Sequence, residues 1–125
     1  MKYSLEIIQS ADGEKSVVAV DAAGVLEGGV LSLEYCFDGA HYALKISERA
    51  MEQTRTGNIN LQMAFVMGEW TECRISDGQN GGSFSIFTEE YNAGFESGDC
   101  TADCAFSDGQ GGEVTRISVT ARRLE

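Results

Sequence analysis

Apolar and polar residues alternate along most of this chain in short runs broken by glycine. The clearest run is Cys100-Thr101-Ala102-Asp103-Cys104-Ala105-Phe106. Strand side chains repeat every two residues, so Cys100, Ala102, Cys104 and Phe106 share one face and Thr101, Asp103 and Ala105 the other. Tyr3, Leu5 and Ile7 alternate in the same way, as do Leu31, Leu33 and Tyr35, and then Tyr42, Leu44 and Ile46. Ile59, Leu61, Met63 and Phe65 form the strongest alternating run, against Asn60, Gln62 and Ala64. Further strands are expected over 15–22, 51–55 and 70–75, at Phe84 and Ile86, in a short piece at 93–95, and at Ile117, Val119 and Ala121.

Asp12-Gly13 and Asp38-Gly39 are hairpin signals, because these residues tolerate the positive φ of a tight turn. Turns or bulges are expected around Gly24 and Gly28-Gly29, and a turn at Gly68-Glu69. The stretch Ser47 to Ala50 fits either a helical turn or a loop, and Glu89-Glu90 reads as a solvated turn. Ser76-Asp77-Gly78-Gln79-Asn80-Gly81-Gly82 and Ser107-Asp108-Gly109-Gln110-Gly111-Gly112 look alike. Two copies thirty residues apart are hairpin loops of similar composition, not a tandem calcium repeat.

So many short strands in 125 residues predict an all-β, antiparallel, closed or nearly closed barrel of about eight to ten strands, which hides the strand edges. The whole of residues 1–125 reads as one domain, large enough to fold without disulfides.

Twenty acids against nine bases give a net charge of −11, spread along the chain. That field repels phosphate backbones, so no nucleic-acid partner is expected. Arg116, Arg122 and Arg123 read as solvated strand termini. Glu6, Gln9 and Asp12 interrupt any apolar run after Lys2, and no run is long enough to span a bilayer. The expectation is a cytoplasmic protein with free thiols and no membrane partner.

From Arg55 onward the residues carry a resemblance. Arg55-Thr56-Gly57, the run Ile59-Asn60-Leu61-Gln62-Met63-Ala64-Phe65, and Gly68 are similar to the Arg-x-Gly strand-turn-strand core of the YwiB-like bacterial proteins. Gly82-Ser83-Phe84-Ser85-Ile86-Phe87-Thr88 resembles that family's glycine, strand and threonine segment, and residues 116–123 its last strand. The family's proline-containing turn before this glycine is replaced here by residues 77–81, and the chain has no proline. The resemblance implies a lipocalin-like, calycin-type β-barrel of small cytoplasmic bacterial proteins without an assigned function.

Chemistry-bearing constellations are few. Cys100 and Cys104 on a strand lie about 13 Å apart at Cα, whereas thiolates sharing a zinc sit within about 4.6 Å of each other. Bridged cysteines need Cα atoms within about 7 Å. Neither a metal nor a disulfide is expected of this pair, and no cofactor is expected at all. His41 is the sole imidazole, and no Gly-x-Ser-x-Gly elbow accompanies it. An enzyme is therefore the last-ranked reading.

Arg55 is the charge of interest. If Met51, Gln53 and Arg55 share the inner face, its guanidinium points into the barrel or across one mouth, where its fork matches a carboxylate. The competing reading is an ion pair with Glu34, Glu52 or Glu72. Small residues on the late strands (Ala93, Cys100, Ala102, Cys104, Ala121) face large ones on the early strands, which predicts an off-centre cavity along the late strands that Ala102→Phe would fill. The candidate ligand-binding set is Arg55, Met63, Cys100, Ala102, Cys104 and Phe106, for a small apolar or amphiphilic, carboxylate-bearing molecule. The alternative is a structural or protein-interaction domain with a filled barrel, and the oligomeric state is left open.

Overall fold

The computed structural model describes residues 1–109 and 112–124, so Gln110 and Gly111 of the second glycine-rich loop lie outside the described residues. Ten strands run in chain order: β1 (Lys2–Ala11), β2 (Glu14–Glu27), β3 (Val30–Phe37), β4 (Ala40–Ile46), β5 (Ala50–Thr56), β6 (Asn60–Val66), β7 (Trp70–Ser76), β8 (Gly81–Glu96), β9 (Asp99–Ser107) and β10 (Thr115–Leu124). Each pairs antiparallel with its chain neighbours, and β1 also pairs with β10, so the sheet closes into a barrel. Among the described residues there is no helix, and so none long and apolar enough to cross a membrane.

The turns follow from their residues. Asp12-Gly13 and Asp38-Gly39 hold φ of 53° and 75°, and 51° and 77°, the left-handed pairs that two-residue hairpins require. Residues 47–49 form a loop into β5, closed by Ser47 N–H donating to the Ala50 carbonyl at 2.9 Å. Two expectations are corrected here. Gly24 neither turns nor ends a strand: β2 runs through it to Glu27, because Gly24 leaves room for the Tyr3 ring and Leu33. Glu89-Glu90 is not a turn either, since residues 81–96 form one strand. Between Thr88 and Glu90 the register with β9 shifts by one residue, a bulge at Glu89. The bulge flips parity, so buried Ile86 and Thr88 precede it on even numbers and Tyr91, Ala93 and Phe95 follow it on odd ones.

The core fills the lower half of the barrel, where Tyr3, Leu5, Leu31, Leu33, Leu44, Ile46, Met51 and Phe65 are almost wholly buried. The hydroxyl of Tyr91 crosses from β8 to donate to the carbonyls of Ser47 (2.7 Å) and Ala50 (2.9 Å), tying the two walls together. The opposite end carries the Asp12-Gly13, Asp38-Gly39 and Gly57 turns and is the more open one.

Candidate functional site

At that open end a cavity of about 270 Å³ enters the barrel. Its apolar lining is Ile7, Val18, Phe37, Leu61, Met63, Phe106 and Ile117, and its polar lining Gln9, Ser16, Tyr35, Tyr42, Gln53 and Arg55. Cross-strand register places these side chains together: Ile7 opposes Val18, Tyr35 opposes Tyr42, Tyr42 opposes Arg55, and Arg55 opposes Leu61. Exposure rises toward the hairpins, from 8% at Ile7 to 38% at Phe37, which marks the direction of the mouth. The mouth opens through a fork. The β2–β3 ladder runs only from Glu27–Val30 to Ala23–Glu34, and beyond it Ser16 and Val18 of β2 face Tyr35 and Phe37 of β3 across the cavity.

Arg55 points inward, as its alternation with buried Met51 predicts. Its Nε–H donates to the Tyr42 hydroxyl at 3.1 Å, Nη1 donates to the Ile59 carbonyl, and Nη1 and Nη2 approach Asn58 Oδ1 at 3.4 and 3.3 Å. The guanidinium carbon lies 5.8 Å from the centre of the Tyr42 ring. All of these partners are neutral. The expected ion pair with Glu34, Glu52 or Glu72 is not formed: Glu34 pairs with His41 at 3.4 Å, Glu72 with Arg74 at 3.7 Å, and Glu52 is exposed on the other face of β5, opposite Lys45. Among the described residues no carboxylate lies within ion-pair distance of Arg55.

Beside it, the rings of Tyr35 and Tyr42 stack with centres 5.0 Å apart and planes 1° from parallel. Burial pushes the Tyr35 hydroxyl up to about 12, against a lowering hydrogen bond with Gln53. It therefore stays a neutral donor at pH 7. The Tyr42 hydroxyl accepts from Arg55 and donates to no described protein acceptor. The polar wall is thus rich in donors and holds one uncompensated cation.

Of the residues singled out from the sequence, Arg55, Met63 and Phe106 meet at this cavity, and the Phe106 ring also contacts that of Phe65 at 5.1 Å. Cys100, Ala102 and Cys104 do not line it. They are 1%, 1% and 3% exposed and lie deeper in the wall, opposite Phe95, Ala93 and Tyr91. The large Tyr91 and Phe95 side chains pack against the core beside the small residues of β9, and the cavity that Arg55 lines does not extend along the late strands. Burial raises the Cys100 thiol to about 11 and the Cys104 thiol to about 12, which keeps both protonated and inert. His41 stands exposed on the outer face with Glu34, and among the described residues no group of three or more His, Cys, Asp or Glu could hold a metal ion.

Sequence reasoning missed the polar wall. Tyr42 carried a usable signal: a connection over 47–50, between paired Ile46 and Met51, pairs positions summing to 97, which sets Tyr42 opposite Arg55. Gln9 and Ser16 carried a signal of the same kind: the Asp12-Gly13 turn pairs positions summing to 25, which sets Gln9 opposite Ser16 on the face of Ile7 and Val18.

No family model and no curated protein matches the sequence. Among solved structures, the crystal structure of the ywiB protein from Bacillus subtilis superposes on this chain with a TM-score of 0.75 at 14% sequence identity, over 99% of this chain and 91% of that one. At that level of superposition this closed ten-strand barrel is YwiB-like in fold.

Proposed function

We propose that this protein is a cytoplasmic, calycin-like binding module that takes a small amphiphilic carboxylate into its open end. The observation that carries the reading is the Arg55 guanidinium, which lines the mouth of a cavity with an apolar wall and is paired with no acid. A cation in such a place favours an anionic head group, while Val18, Leu61, Met63 and Phe106 accept an apolar body. The cavity of about 270 Å³ sits just below the span of about 300–1,000 Å³ typical of small-molecule pockets, so the ligand is small.

Octanoate tests this. Titrated into isotope-labelled protein at pH 7, it should shift the amide signals of Tyr42, Arg55, Met63 and Phe106 saturably. Octanol, of equal chain length and no charge, should bind at least tenfold more weakly, and Arg55→Met should remove that preference. A charge-assisted hydrogen bond is worth about 1.5–3 kcal/mol, or about ten- to hundredfold. Octanol binding as well as octanoate, or unmoved cavity signals, would leave the filled-barrel interaction domain as the better reading.

A further inference from the structure

The fork that opens the cavity also leaves a strand edge without a partner. The two-residue Asp12-Gly13 turn makes Ala11–Glu14 the pair that exchanges both backbone bonds, so alternate residues of β2 (Ser16, Val18, Val20, Ala22) bond to β1. The intervening residues direct their N–H and C=O groups to the other side. The Gly28-Gly29 hairpin confirms the parity: Glu27, Val25 and Ala23 carry the β3 ladder. Past Ala23 that ladder stops, and Asp21, Ala19, Val17 and Lys15 continue the same edge with no strand beside them. No other backbone bond reaches them among the described residues. The segment is rich in β-branched residues, Val17 is 52% exposed, and only Asp21 breaks the neutral run from Ser16 to Ala22. Such an edge is a template for another strand.

The edge runs along the mouth of the cavity, since Ser16 and Val18 alternate inward between Lys15, Val17 and Ala19. A strand laid against it would direct alternate side chains into the apolar cavity. From this juxtaposition we infer that the site takes the C-terminal segment of an extended peptide: backbone bonds to β2 over 15–19, one apolar side chain in the cavity, and the terminal carboxylate on Arg55. This rests on the reading of Arg55 as a carboxylate anchor. Three features select this occupant. Backbone addition supplies affinity and a side-chain pocket supplies specificity, as in other strand-addition sites. The cavity suits one side chain better than a long acyl tail. A second copy of this chain, with a net charge of −11, would meet like charge.

The probe is a fluorescein-labelled peptide, Lys-Thr-Lys-Val-Thr-Leu with a free carboxylate, followed by anisotropy. Expected results are saturable binding, displacement by octanoate, and at least tenfold weaker binding of the C-terminal amide and of a copy methylated on alternate backbone nitrogens. Ala19→Pro removes an N–H from the free edge and none from the β1 ladder, so it should weaken the peptide at least tenfold and leave octanoate affinity within twofold. The methylated peptide tests the same point on unaltered protein. Equal binding of the amide, or of the methylated peptide, overturns the inference. Octanoate binding without peptide binding also overturns it and leaves the pocket reading standing, whereas failure of both removes the two together. Concentration-dependent dimers abolished by Ala19→Pro would assign the edge to a second copy instead, and overturn it as well.

Discussion

Gly24→Ala isolates the packing decision that lets β2 run unbroken past the end of the cavity. A Cβ at this position would sit 2.7 Å from both Leu33 Cδ2 and Tyr3 Cε1, and 2.8 Å from Tyr3 Cδ1. Real Cβ contacts do not approach that closely, so something must move. Tyr3 is 0% exposed and Leu33 1%, and both belong to the packed core. Forcing a methyl into a filled interior costs about 1–3 kcal/mol. The gain from a stiffer unfolded chain returns only about 0.4–1 kcal/mol, so the net loss is about 1–2 kcal/mol. With a urea slope of about 1–3 kcal/mol/M, the midpoint should fall by about 0.5–1 M at unchanged slope. Gly94→Ala is the matched control: it also lies in a strand, but its nearest neighbour would be Thr101 Oγ1 at 4.0 Å. That change should leave the midpoint level or raise it. Adding Tyr3→Leu to Gly24→Ala should recover part of the loss relative to the two single changes summed. A Gly24→Ala midpoint at or above wild type would refute the reasoning, because the ring and the glycine could not then be in contact.

Two further outcomes follow from the buried wall of β9. Ala102→Phe should lower the urea midpoint by an amount equivalent to about 1–3 kcal/mol, since Ala102 is 1% exposed and away from the cavity, and octanoate affinity should not change; a raised midpoint would place empty space there after all. Stability should also fall as pH rises above about 9, because unfolded thiols lose protons near their ordinary 9.0 while folded Cys100 and Cys104 hold theirs to about 11 and about 12. The unfolded state then binds fewer protons, which gives stability a negative slope with pH. Urea midpoints from pH 7.5 to 10.5 measure it, Cys104→Ala should flatten the decline, and a level profile in wild type would contradict the burial of these thiols.

Most of the wall was legible because turn chemistry and period-two alternation are local. Asp12-Gly13 and Asp38-Gly39 locate hairpins wherever the sheet goes, and the inward side of Arg55 follows from its spacing to Met51 and Gln53. The Glu89 bulge was not legible in the same way, since one inserted residue reverses which numbers face in, and two short runs of opposite parity then look like separate strands. Gly24 misled for a related reason. Its lack of a side chain serves the Tyr3 ring on β1, a contact made between strands that local reading treats one at a time. The cavity depends on the stagger between ten strands, which decides that Phe106 shares a height with Arg55 while Ala102 does not. No window of sequence shorter than the whole chain contains that information.

The ladder that closes the barrel joins Lys2–Ser10 to Arg116–Leu124, its first strand to its last. A chain still being synthesised can form every hairpin from β1–β2 to β8–β9, each from neighbours in sequence, and remain an open, curling sheet. Its first strand keeps one bare side until the last has been made. Closure is therefore a late, long-range event, in a topology that folds slowly by its nature. Through that interval the open sheet has two adhesive margins at once, and its fate depends on whether β10 arrives before another chain does.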